Sequence, residues 1–250
     1  MKPIVHTANS LFSVGGPWEI WRTRSQITNG RVVDLYTKSG SVGQYSSQLI
    51  LLPDYGVTVS VLVAGPSSGP AISIATEMVL QSLIPTLENI TLSDACESLC
   101  GTYETLEPRV NSSISIAADA AGLHLDRWVN HGVDIKAAAQ AYALQSGSSP
   151  IRSVRFQASN LRGSPHAGRT TRDAHRVAYR LIFDTTGEDQ NGPARVLDPI
   201  SNQWSAADSI MYGEIGVDDF VVHFDANGTA MMIEPRVVRD KLQRSSQARG

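Results

Sequence analysis

The sequence predicts an α+β chain in two successive parts: an antiparallel sheet fragment with a packed helix, then an antiparallel β-barrel. Three observations carry this prediction. Alternating apolar and polar residues recur between residues 19 and 64, and residues 71–89 then show helical spacing through Ile74, Met78, Leu80, Leu83, Ile84 and Leu87. Beyond Gly101, short alternating segments recur between turn residues, the pattern of a barrel or sandwich. The composition, 42% apolar and 18% charged with a net charge of -3, is that of a globular chain with a core.

In the first part, residues 19–24 and 31–36 alternate around Thr28-Asn29-Gly30, a tight-hairpin signal. A third strand, 48–52, ends at Pro53-Asp54-Tyr55-Gly56, where Pro and Gly suit a turn. Residues 57–64 are almost continuous in Val and Leu, which predicts burial on both faces. The second part offers strands at 101–104, 112–117, 122–129, 151–157, 175–184, 209–213, 220–225 and 230–235, with a helix over 134–145. Residues 159–173 and 188–195 read as long loops, and the charged tail after Val238 as a frayed end or short exposed helix.

The order Gly16-Pro17-Trp18-Glu19-Ile20, Tyr36-Thr37-Lys38-Ser39-Gly40 and Leu52-Pro53-Asp54-Tyr55-Gly56 resembles the C-terminal end of fungal β-lactamase-related, penicillin-binding-protein-like serine hydrolases. From about residue 100 the chain resembles the lipocalin-like C-terminal domain of those proteins. The resemblance divides the chain into a β-lactamase-like remnant (1–95), a barrel (96–240) and a tail (241–250). It implies that Lys38 faces the catalytic cleft and attracts carboxylate-bearing substrates, that Ser39 and Gly40 complete the motif, and that the Ser41 N–H supplies half of an oxyanion hole. The plain alternative for Lys38 is a solvated side chain beside a hairpin. The motif's partners are missing from this sequence. No Lys has a Ser three residues before it, and no Ser or Tyr stands two residues before an Asn.

Trp128, Trp204 and Tyr212 are the expected substrate-binding residues of the barrel. The spacing Trp204-x3-Asp208-x3-Tyr212-Gly213 followed by Asp218-Asp219-Phe220 matches a landmark of the resembled domain, and His131 and Glu214 stand close to these residues in the sequence. Asp218 and Asp219 are adjacent, so one strand cannot turn both inward, and they read as rim residues rather than an acid–base pair. His6 is a surface histidine or a second cleft residue. His124, His166, His175 and His223 show no ligand spacing, so neither a metal nor another cofactor is expected. Cys96 and Cys100 read as two buried thiols, with a short-loop disulfide and a zinc site as alternatives. Asn89, Asn111 and Asn227 head glycosylation sequons.

No basic cluster suggests nucleic acid and no apolar run is long enough to span a bilayer. Without a signal-peptide pattern at the start, a cytoplasmic location is expected. The expected partners are a small-molecule ligand and, through residues 1–90, a second copy or a complementary chain. Three functions follow in order. The first is a truncated β-lactamase-like protein of a fungal secondary-metabolite pathway, not a serine hydrolase on its own. The second is a repurposed non-hydrolytic cyclase or isomerase using the barrel pocket, and the third a partner module of a split hydrolase.

Overall fold

Alternation in the first part becomes six consecutive antiparallel strands in the computed structural model, which describes residues 3–24, 32–107, 109–147, 150–163, 175–184, 207–208 and 210–245. They are β1 (Val5–His6), β2 (Phe12–Val14), β3 (Glu19–Arg24), β4 (Val32–Val42), β5 (Tyr45–Leu52) and β6 (Val57–Ala64), paired in chain order. The hairpin signal at Thr28-Asn29-Gly30 lies outside the described residues. Between β5 and β6, Pro53–Tyr55 forms a single 3-10 turn closed by Gly56 at φ 65°, a left-handed position that glycine fills without a Cβ penalty. Helix α1 (Ser68–Leu99) follows. Val33, Leu35, Ile50 and Leu52 from one sheet face bury against Ile84, with Leu80, Leu83 and Leu87 packed around them.

Three expectations change here. The Lys-Ser-Gly strand is fourth in the sheet, not second or third, because two short strands precede β3. β6 is not buried on both faces: Val57, Val59, Val61 and Val63 are half-buried, while Thr58, Ser60, Leu62 and Ala64 are exposed. Among the described residues it is an edge strand with one neighbour, and the half-buried face is the one turned to the core cluster. Helix α1 runs ten residues past 89, and Leu99 enters the barrel core, a case of packing overriding the weak helix preference of Asn89, Ile90 and Thr91. The chain divides into two compact units, 1–93 and 94–250, inside this helix.

The second unit is a closed eight-stranded antiparallel barrel. Its elements are β7 (Gly101–Glu104), β8 (Ser113–Asp119), β9 (Gly122–Asn130), β10 (Val133–Asp134), α2 (Ile135–Gln145), β11 (Ser153–Gly163), β12 (His175–Asp184), β13 (Met211–Tyr212), β14 (Ile215–Gly216), β15 (Asp219–Phe224), β16 (Ala230–Pro235) and β17 (Leu242–Arg244). The ring runs β7-β8-β9-β11-β12-β15-β16-β17 and returns to β7, while β10 adds to β9 outside the ring. Asp134 caps α2 by accepting the Ala137 N–H at 3.0 Å.

Inside the barrel, Trp128 meets Phe220 edge-on at 5.1 Å, Phe156 stacks on Tyr179 at 4.6 Å, and Ile114, Leu125, Val222 and Ile233 complete the layers. Eight strands enclose about the space that side chains alone fill. Burial pushes the Tyr103 and Tyr179 hydroxyls up to about 12, so both stay neutral. The middle of this barrel is therefore core, and room for a ligand lies at its mouth.

The tail expectation fails at β17. Leu242 is buried and the strand joins β16 to β7, which closes the ring. Arg244 explains why a charged segment can do this. Its guanidinium donates to the carbonyls of Glu97, Ser98 and Cys100, acceptors left open where α1 ends. The two-thiol expectation also fails, because Cys96 and Cys100 form a disulfide across that last turn with Cα atoms 4.6 Å apart. Residues 159–163, expected in a loop, extend β11 past a bulge, and the rest of that loop and residues 188–195 lie outside the described residues.

Candidate functional site

β4 outruns β3. Pairing between them ends at Glu19 and Thr37, whereas pairing with β5 continues to Val42 and Tyr45. Among the described residues, the segment from Lys38 to Val42 therefore has a strand partner on one side only. Alternation places Lys38 and Gly40 on one face, and Ser39 and Ser41 on the face shared with Val33 and Leu35. The four motif residues are thus contiguous but divided between two faces. Lys38 Nζ lies 2.7 Å from Glu19 Oε1, in an exposed pair worth at most about 1 kcal/mol. A Cβ at Gly40 would stand 2.8 Å from Ser47 Oγ, so glycine here also serves cross-strand packing. His6 bonds Ser13 Oγ at 3.0 Å, within the β1–β2 hairpin.

In the barrel unit, Trp128 and Tyr212 line one cleft of about 940 Å³ at the barrel mouth. Trp128 is 2% exposed and Tyr212 78%, so one lies at the base and the other at the lip. Trp204 lies outside the described residues. The β13–β14 hairpin turns at Gly213, φ 66°, and carries Tyr212 and Glu214 to the cleft.

That hairpin is anchored by the carboxylates the sequence singles out. Arg180 donates to Asp208 Oδ1 at 2.6 Å and to buried Asp218 Oδ2 at 3.0 Å, and the Asp208 N–H donates to Asp218 Oδ1 at 3.1 Å. A Cβ at Gly216 would run into both carboxylates, which requires glycine. Asp219 points elsewhere, 3.8 Å from Arg236, and burial raises its carboxyl above the usual range against the pull of Arg180 and Arg236. Asp218 is held as a structural clasp while Asp219 turns to Arg236, so the two carboxylates have different neighbours. Among the described residues no cluster of three His, Cys, Asp or Glu side chains could hold a metal ion. No helix among them is long and apolar enough to cross a membrane.

Residues 92–246, more than half of the chain, match the family described as Beta-lactamase-like-like, C-terminal domain. The chain belongs to this family. A protein of Arthroderma benhamiae named Beta-lactamase-like protein is 32% identical over 139 residues, 54% of this chain and 22% of the relative. Probable hydrolase M10 of a Phoma species and Probable hydrolase clz13 of Cochliobolus lunatus are each 28% identical over 137 residues, 53% of this chain and 22% of each relative. The match thus spans about a fifth of the length of these relatives. No solved structure matches the chain.

Within this β-lactamase-like C-terminal domain, sequence reading missed the far wall of the cleft, formed by Asn130, Val237, Val238 and Arg239. His131 stood out in the sequence but Asn130 beside it did not, and Val238-Arg239-Asp240 read only as the start of a tail. The structure joins them. Ser112 Oγ has two acceptors for its one proton, Asp240 Oδ2 at 3.3 Å and Asn130 Oδ1 at 3.4 Å, and accepts the His131 N–H at 3.0 Å, while His131 Nε2 lies 3.5 Å from Asp240 Oδ2. The one signal for this clasp was Ser112 at the start of a strand, where a side chain so often serves a neighbouring backbone.

Proposed function

We propose that this chain serves a β-lactamase-like hydrolase of a fungal secondary-metabolite pathway by binding and positioning an acyl substrate, and that none of its own serines acts as the nucleophile. The observation that carries this reading is the β4 segment from Lys38 to Val42, with one backbone edge open beside an exposed cation. An extended acyl chain adds to such an edge by main-chain hydrogen bonds. Lys38 attracts a substrate carboxylate, which competes with Glu19 for the ammonium group. The Ser41 N–H offers one donor to an oxyanion. A serine hydroxyl is a weak nucleophile without an adjacent base, and no Ser-x-x-Lys stands in the sequence. The attacking serine on this reading is contributed by other residues, in the same protein or in a partner. The fungal hosts of the hydrolase-named relatives support the setting.

The test is covalent labelling by a fluorophosphonate. The chain alone is expected to remain unlabelled. Mixed with the Ser-x-x-Lys-bearing segment of a β-lactamase-like relative, it should support labelling of that segment, and Lys38→Ala should reduce it. Labelling of the chain alone that disappears on replacing one of its own serines overturns the proposal. Deleting the gene and comparing metabolites tests the pathway setting.

A further inference from the structure

We propose that the cleft at the barrel mouth is a binding site for a compact apolar carboxylic acid, seated on Trp128 and held by Arg239. The volume, about 940 Å³, is at the upper end of that of small-molecule pockets. Its walls are apolar: Ile135, Ile215, Val217, Val237 and Val238.

The polar groups that converge on it are chiefly donors. Trp128 is almost fully buried, yet among the described residues no hydrogen bond reaches its indole N–H. Among the described residues the sealed side-chain atoms without a hydrogen bond are Thr76 Oγ1 and His124 Nδ1, so the Trp128 N–H keeps an opening, and the cleft is the space that this residue lines. An indole N–H that opens only into the cleft is a donor available to an acceptor bound there. Asn130 accepts the Ser112 hydroxyl with its carbonyl, which leaves its amide N–H groups for the cleft. Arg239 has no ion-pair or hydrogen-bond partner among the described residues.

Arg239 is also held in an unusual backbone state, φ 59°, a left-handed conformation that a long side chain rarely adopts. The next residue explains how it persists: Asp240 is fixed by Ser112 and approached by His131. Strain that neighbours enforce is a common mark of a ligand-holding position. Three donors around an apolar bowl match an apolar body ending in a carboxylate, which a guanidinium binds in bidentate fashion. Glu214 at the same cleft disfavours a ligand with a second negative charge.

The experiment is calorimetric titration of the full chain with naphthalene-2-carboxylate and, separately, its methyl ester. The acid is expected to bind about tenfold tighter than the ester, as one charge-assisted contact allows. Arg239→Gln should bring the acid to the level of the ester, and Arg239→Lys should restore part of the preference. Ile215→Asp should weaken both probes while the thermal unfolding of the chain stays unchanged. Equal binding of acid and ester overturns the proposal. So does failure of both to bind, or an acid preference that survives Arg239→Gln.

Discussion

The two units meet the same requirement, covering the faces and edges of an antiparallel sheet, by different means. In the barrel the sheet closes on itself through β17 and β7, no ring strand is left as an edge, and among the described residues seventeen buried apolar side chains form the core cluster. In the first unit the sheet stays open, with β1 and β6 as edges among the described strands, and four described sheet residues form a buried cluster with Ile84 of α1. Ile74 and Met78 on α1 and Leu62 on β6 remain exposed. Closure leaves the ring without an edge strand, whereas the open sheet keeps two edge strands beside exposed apolar side chains. The difference places the two candidate sites as well. The open unit offers a free strand segment at Lys38, and the closed one offers a mouth.

The largest expected effect tests that contrast in the cores. Phe220→Ala, at the centre of the aromatic layer, should destabilise the barrel by about 3–5 kcal/mol, while Ile50→Ala, in the smaller cluster of the sheet unit, should cost about 2–3 kcal/mol because fewer buried atoms are removed. Hydrogen exchange followed through denaturant reads each unit separately. Equal losses, or a larger one at Ile50, would break the comparison.

A smaller effect belongs to the junction of α1 with the barrel. Reducing Cys96–Cys100 should lower barrel stability by about 2 kcal/mol, the entropy of closing so short a loop, and leave the sheet unit's exchange rates unchanged. Thermal melts with and without reductant measure it.

The smallest concerns the barrel's outer surface. The hydrogen bond from Arg155 to Asp119, 2.6 Å, lowers that carboxyl below its usual value of 3.8 despite an opposing contribution from burial. A depressed carboxylate stabilises the fold above its unfolded pKa and loses that contribution as pH falls through the folded one. Asp119 is 46% exposed, so Asp119→Asn should cost less than about 1 kcal/mol at pH 7. The cost should vanish on acidification below the normal carboxylate range. A cost that is constant with pH would assign the effect to packing.

Much of this architecture could be read from local pattern. Residues 19–24, 57–64, 101–104, 175–184 and 230–235 were expected as strands and are strands with those bounds. They are segments where turn residues punctuate period-two alternation, a signal contained within the strand itself. Helix α1 was legible for its first two-thirds, where apolar spacing persists. The candidate site was legible only as residue types: Lys38 through its motif, Trp128 and Tyr212 as aromatics of the second unit.

By itself, the sequence determined element types, the two-part order, and that no Ser-x-x-Lys stands among these residues, because each depends on residues adjacent in the chain. Tertiary structure alone decided that Leu242 and Arg244 close the barrel, that Cys96 and Cys100 join, that β6 is an edge, and that Ser112, Asn130 and Asp240 build the wall beside Trp128. Each depends on groups far apart in sequence or on which neighbour covers a face. Alternation states that a strand has two faces, and only the packed fold settles what each of them meets.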